Sequence, residues 1–173
     1  MKFFYLCLLL VLPTGLFAQE YGDSLSHHQI GFSASTISSY GITYSYIFNT
    51  QYRIKSTLLG IYQDHGAYSD WTGILGLELQ ATLESGQMTR FYGFLGGSFY
   101  KYVDNNHSYY SYNDEDDFAL GLGIGFEVLL WKHIAINLDL GVQYWSFKHY
   151  NFDAPFITKY FGPAGGIGIN YRF

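Results

Sequence analysis

Seven charged side chains stand out because they fall at alternate positions in segments that are otherwise apolar or small: Arg53, Lys55, Glu78, Arg90, Glu127, Asp139 and Arg172. Alternate residues of a strand share one face, so each of these charges belongs to the face opposite a row of large apolar residues. An ion held in a low-dielectric interior is costly unless it is paired. Two arrangements satisfy that demand. The charges form a salt-bridge network that plugs an interior, or they line an ion path through a small pore.

Other clusters offer chemistry with less behind them. Tyr109, Tyr110 and Tyr112 stand among Asp, Asn, His and Ser residues, and Tyr and Asn supply adaptable contact surface at low entropic cost, as in antibody paratopes. Tyr100 and Tyr102 suit an aromatic girdle at a membrane rim, whereas the three later tyrosines lie too far from the strand and form an expected loop contact surface. His27-His28 could ligate a metal, but no carboxylate cluster adjoins the pair, so a solvated pair is expected. The run Asp114-Glu115-Asp116-Asp117 lacks the spaced ligands and central glycine of a calcium loop and is read as an acidic loop end. No catalytic, cofactor-binding or metal residue is assigned.

The elements that would position these residues read as eight period-two segments. They are Gln29–Ser38, Tyr40–Phe48, Gln51–Gln63, Trp71–Glu84, Met88–Val103, Phe118–Val128, His133–Lys148 and Lys159–Phe173. The sixth alternates most cleanly, with Phe118, Leu120, Leu122, Ile124, Phe126 and Val128 opposite Ala119, three glycines and Glu127. The fifth is least clear, because aromatic residues occupy both faces. Phe91, Leu95 and Phe99 are assigned outward there, and Arg90, Tyr92, Ser98 and Tyr100 inward. Short links at Asn49-Thr50, Ser85-Gly86 and Trp131-Lys132 alternate with longer polar ones at Asp64–Asp70, Asp104–Asp117 and Tyr150–Thr158. A tight first connection near Ser38-Ser39 departs from that alternation.

The N-terminus reads as a secretory leader: Lys2, an apolar run from Phe3 to Leu12, a break at Pro13, and a small residue, Ala18, at the cut. The run is shorter than the about 20 residues a membrane-spanning helix needs. Removing residues 1–18 from 173 leaves 155, without Cys7, so a disulfide framework or thiolate metal site is excluded. Lys2 leaves with the leader, so eight Lys and Arg face 14 Asp and Glu, a balance of −6. That argues against nucleic acid as a partner. Charged residues make up 13% and aromatics 21%, against about 25% charged in ordinary soluble domains. A soluble eight-stranded barrel would turn its apolar face inward around a ligand. Glycine-rich alternate positions suit a crowded interior better than a solvated exterior, so the apolar face is expected to meet lipid.

With its leader, its eight alternating segments and its closing Ile167-Gly-Ile169-Asn-Tyr171-Arg-Phe173, the chain resembles the small outer-membrane β-barrel family that includes the OmpA transmembrane domain. The resemblance is one of pattern and covers residues 19–173. It implies an all-β, eight-stranded antiparallel up-and-down transmembrane β-barrel with both termini periplasmic. The implied location is the bacterial outer membrane, reached after a cleaved signal peptide. It also implies contact with outer-membrane lipid and lipopolysaccharide, and a terminal signal for the barrel assembly machinery formed by Phe173, with Tyr171 and Ile169 behind it. The peptidoglycan-binding role of that family is not carried over. A monomer without a cofactor is expected. His149-Tyr150-Asn151 loosely resembles the His-x-Ser-Asn region of lipid A deacylases, but Asn151 stands where a serine is needed and Ser146 lies on the wrong side. A nucleophile needs its base within hydrogen-bond reach, so the chain is expected not to be an enzyme. The expected role is structural or surface-interacting, through the external loops. A narrow channel for small solutes is the alternative, and a lipid A-modifying barrel the third.

Overall fold

The computed structural model describes residues 27–48, 51–64, 69–86, 88–104, 115–130, 133–150 and 155–173. The leader, Asn49-Thr50, Tyr109, Tyr110, Tyr112, Asp114 and Trp131-Lys132 lie outside them. Eight strands run through the described residues: β1 (His28–Ser35), β2 (Ser39–Ile47), β3 (Tyr52–Asp64), β4 (Ser69–Ser85), β5 (Thr89–Asp104), β6 (Glu115–Leu130), β7 (Ile134–Tyr150) and β8 (Pro155–Arg172). Each pairs antiparallel with its neighbour in sequence, and β1 pairs with β8 to close the barrel. No helix occurs among the described residues.

The alternation expected from sequence places large apolar side chains outside. Phe32, Leu77, Leu122, Leu140 and Ile167 are all about half exposed or more on the outer wall. Inside are Gln29, Thr43, Arg53, Lys55, Glu78, Glu127 and Asp139, all buried. A strand's side-chain period is two, so a one-residue slip would turn every charge outward. The fifth strand follows its assigned register, with Tyr92 fully buried inside and Leu95 and Phe99 outside. Phe94, left unassigned from sequence, also faces inward and is buried.

Three boundaries differ from the sequence expectation by three residues or more. Strand β1 stops at Ser35 rather than Ser38, and Thr36–Ser38 form a turn. Strand β6 begins at Glu115, so Glu115, Asp116 and Asp117 are ladder residues rather than a loop end. Strand β8 begins at Pro155 rather than Lys159, which shortens the expected Tyr150–Thr158 connection to residues 151–154. The physical reason is common to the last two. Beyond the apolar band a polar side chain costs nothing on either face, so the backbone ladder continues through residues that lack the alternating signal.

The β1–β2 turn folds into the barrel. The Ser35 hydroxyl accepts the backbone N–H groups of Ile37 (3.2 Å) and Ser38 (3.3 Å), and Ser39 leaves the turn at φ 64°. Thr36 ties the turn to β8: its N–H donates to Gly165 O at 3.0 Å, and its hydroxyl accepts Gly165 N–H at 3.2 Å. Ile37 is thereby driven inward and buried against Tyr92, Phe94 and Ala164. Gly96 and Gly121, direct partners across β5 and β6, form its socket. A Cβ on Gly121 would stand 2.8 Å from Ile37 Cδ1, and one on Gly96 3.3 Å from Ile37 Cγ2.

Because β1 and β2 are short, the wall is incomplete at this end. β1 pairs with β8 only as far as Gly166, and β2 with β3 only as far as Leu58. Residues 155–165 of β8 and 59–64 of β3 thus extend past their neighbours on that side. The β8 residues whose N–H points toward this gap share the parity of Gly165 and Phe173, which donate to Thr36 and His28. Pro155 and Pro163 stand at that parity and have no N–H to present.

Ile37→Ala is expected to destabilise the folded chain by about 2–5 kcal/mol, as for other buried Ile-to-Ala changes. Ile61→Ala, at a side chain 41% exposed, should cost under about 1 kcal/mol. Urea unfolding in micelles, followed by tryptophan fluorescence, measures both.

Candidate functional site

The interior below Ile37 holds a connected polar layer to which all eight strands contribute. Cross-strand register brings some pairs together directly: Lys55 faces Glu78, and Arg90 faces Glu127. The remaining links cross the lumen. Arg53 of β3 reaches Glu127 of β6 as a two-pronged pair, Nη1 to Oε2 at 2.5 Å and Nη2 to Oε1 at 3.0 Å. The same Nη1 donates to Gln29 Oε1 at 3.0 Å. Planar bidentate pairing of this kind suits arginine rather than lysine.

From Glu127 the network continues to Arg90, whose Nε lies 3.5 Å from Oε1. Arg90 also donates to Gln80 and lies over the Tyr92 ring, 4.2 Å from its centroid. Gln80 Nε2 donates to Glu78 Oε1 at 2.6 Å, and the Lys55 ammonium bridges Glu78 (2.9 Å) and Asp139 (3.6 Å). Asp139 then accepts the Tyr92 hydroxyl at 2.5 Å and Asn137 Nδ2 at 3.1 Å. Asn170 Nδ2 donates to Asn137 Oδ1 at 3.2 Å, and Asn170 Oδ1 accepts the Thr43 hydroxyl at 2.8 Å. Gly125 makes the Tyr92–Asp139 contact possible, because a Cβ there would collide with the Tyr92 ring.

Six of the seven charges singled out from sequence belong to this layer as three cations and three carboxylates. Arg172, half-buried toward the C-terminal rim, adds an electrostatic interaction with Glu127 from the edge of the layer. Sequence reasoning missed Gln29, Thr43, Gln80, Tyr92, Asn137 and Asn170 as members. Their alternation with apolar residues was the available signal, since a polar side chain on the inner face must find a partner there.

The opposite rim is built from rings. Phe173 stacks on His28 at 6.0 Å and on Tyr171 at 6.4 Å, and Tyr171 stacks on His133 at 5.6 Å. His27 Nδ1 lies 2.8 Å from Ile47 O. The two histidines read from sequence as a solvated pair are therefore built into this aromatic girdle. Ile169, Tyr171 and Phe173 form one outward row on β8. Of the other candidates, Ser146 lies on β7 opposite Lys159, while Asn151 and the side chains of His149 and Tyr150 fall outside the described residues. No group of three or more His, Cys, Asp or Glu that could hold a metal occurs among the described residues.

Neither a family model nor a curated protein matches the sequence. Among solved structures, the chain is similar to Ail, the attachment invasion locus protein of Yersinia pestis, at 15% identity and a TM-score of 0.45, covering 86% of this chain and 97% of that one. It is also similar to CarO of Acinetobacter baumannii, at 11% identity and a TM-score of 0.40, covering 86% of this chain and 98% of that one. Likenesses of this degree decide nothing about the interior.

Removing one partner of a buried ion pair strands the other, at a cost of about 3–5 kcal/mol. Glu127→Gln should therefore lower stability by that order, because Arg53 and Arg90 both lose their carboxylate. A double-mutant cycle with Arg53→Met should give a coupling of about 1–3 kcal/mol. Unchanged thermal stability of Glu127→Gln in micelles would count against the network.

Proposed function

We propose that the chain is an integral outer-membrane β-barrel that presents a surface-interaction site at its external end. The observation that carries this reading is the reversal of the ordinary soluble pattern. Side chains of the outer wall are apolar around the whole circumference, while the charged residues Arg53, Lys55, Glu78, Glu127 and Asp139 are buried inside. An apolar patch on a soluble monomer rarely exceeds a few hundred square ångströms, and a wall apolar all round needs lipid as its solvent. Closure of the barrel by β1 and β8 satisfies the backbone along the wall as far as Gly166.

We read the orientation from the connections, which are short at the rim that holds the C-terminus and include the longest, β5–β6, at the other. The aromatic girdle with the chain's C-terminus is taken as the periplasmic rim, and the β3–β4, β5–β6 and β7–β8 connections as external. Outer-membrane lipid and lipopolysaccharide then surround the wall, and Ile169, Tyr171 and Phe173 serve as the signal for the barrel assembly machinery. The loop tyrosines Tyr109, Tyr110 and Tyr112 are proposed as the contact surface. A structural or adhesive role fits better than a channel, because the paired charge layer and the Ile37 turn both occupy the lumen.

Leu122→Arg tests the membrane reading. At this outward position, 58% exposed, arginine should cost about 2–4 kcal/mol of folding free energy in lipid bilayers, against about 0–1 for Ser146→Arg near the rim. Equal, near-zero costs would mean that the wall faces water. Reconstituted protein should give no conductance steps in planar bilayers. Deleting residues 105–113 should abolish any surface attachment while leaving heat-modifiable migration intact.

A further inference from the structure

On the outer wall, at the end away from the C-terminus, charge interrupts the apolar surface. Lys101 of β5, Asp116 of β6 and Lys148 of β7 are direct cross-strand neighbours, and Lys159 of β8 pairs with Ser146 one outward position below Lys148. All four point outward by strand alternation, sharing a face with Leu95, Phe118, Leu140 and Ile167. Lys101 Nζ lies 3.5 Å from Asp116 Oδ1, with the lysine side chain 43% exposed. Among the described residues, every Lys or Arg on the outer wall belongs to this group. Three cations against one carboxylate give the group a balance of +2, in a chain where nine Lys and Arg face 14 Asp and Glu.

Below Lys101 the wall is hollowed. Phe99 is the next outward residue of β5, and the one after it, Gly97, has no side chain to offer between its partners Leu77 and Leu120. The result is a groove of about 360 Å³ lined by Leu75, Leu77, Leu95, Phe99, Phe118 and Leu120. A second groove of about 420 Å³, at Ala81 and Gly93, continues it along β4 and β5 and shares Leu79 and Leu95 with it. From Phe99 to Gly93 the strand covers about 20 Å at about 3.3 Å per residue. At the upper end, the Trp71 ring lies over Gly73, the cross-strand partner of Lys101, where a Cβ would collide with it.

We infer that this strip of wall binds a lipid whose headgroup carries an exposed anionic phosphate, with the phosphate at Lys101, Lys148 and Lys159 and an acyl chain along the groove. The inference rests on the outer-membrane reading above and adds to it a place on the wall and a headgroup charge. Charge complementarity selects the occupant. An ammonium carries three N–H donors, so Lys101 can hold Asp116 and a phosphate oxygen together. A lipid brings charge at the bilayer surface and an apolar chain below it, the order in which the wall offers lysines and groove. A second copy of the chain fits poorly. Two copies inserted in the same direction meet at equal height, which would set one lysine group against the other. A zwitterionic headgroup would bring a cation of its own to the same place.

Trp71 is a built-in reporter, and Trp131→Phe with Trp145→Phe leaves it the one tryptophan of the chain. The protein is refolded into phosphatidylcholine bilayers, and Trp71 fluorescence is quenched by phosphatidic acid or phosphatidylcholine with identical brominated chains. Competition between the two lipids should show phosphatidic acid bound at least about fivefold more tightly beside Trp71. Lys101→Gln, Lys148→Gln and Lys159→Gln together should bring that ratio to about one. Excess inorganic phosphate should leave the ratio unchanged, since it brings no chain to the groove. Equal binding of the two lipids, a ratio that survives loss of the three lysines, displacement by inorganic phosphate, or a cross-linked dimer that keeps both lipids from Trp71 would overturn the inference. Heat-modifiable migration, recorded on every sample, separates these outcomes from failure of the membrane reading, in which the chain would not fold into bilayers at all.

Discussion

An eight-stranded wall closes around a space filled by side chains, so a charge on its inner face must find its counter-ion inside. The Arg53–Glu127 pair meets that constraint across the full lumen, from β3 to β6, and the rest of the interior is arranged about it. Arg90 and Gln29 share its atoms, Gln80 and Glu78 carry the chain of contacts to Lys55, and Asp139 extends it to β7 and β8. The register of every strand is then fixed twice. Outside, the apolar row must meet its solvent; inside, each ion must meet its partner. Slippage by one residue violates both conditions together, which is why a lumen with so much charge is compatible with a single closed structure.

The glycines on the inner face serve the same constraint. Gly125 is empty so that Tyr92 can reach Asp139, and Gly96 with Gly121 is empty so that Ile37 can enter. The interior is therefore divided along its axis. A charged, hydrogen-bonded layer fills the half near the C-terminus, and an apolar layer of Ile37, Tyr92, Phe94 and Ala164 lies over it.

Much of this was legible in the residues. Period-two alternation gave the strand count, the faces and the inward set of charges, most clearly in β6, where glycine alternates with leucine and isoleucine, and in β7, where Asn137, Asp139 and Gly141 do. Register in β5 was harder, because Tyr92 and Phe94 face inward while Phe91 and Leu95 face outward, and only burial separates aromatic from aromatic. The pairings themselves were not legible. Nothing local tells Arg53 to seek a residue 74 positions away, or tells Ile37 that two glycines on β5 and β6 await it. Alternation could be read through Ser38 because the turn is set by the Ser35 hydroxyl and by Gly165, partners that lie outside any periodic pattern. At Glu115–Asp117 the ladder outlasted the signal, since the alternating apolar residues begin at Phe118 while the backbone pairing reaches Glu115.

The two prolines of β8 carry a consequence for the chain in company. A sheet edge with every donor in place is a template on which another copy can continue the ladder, and repetition of that step yields concatemers or fibrils. Pro155 and Pro163 leave gaps in the donor row along the overhang of β8, so an incoming strand would find acceptors without the matching N–H groups. The barrel can thus keep one end of its wall unfinished without becoming sticky to its own kind.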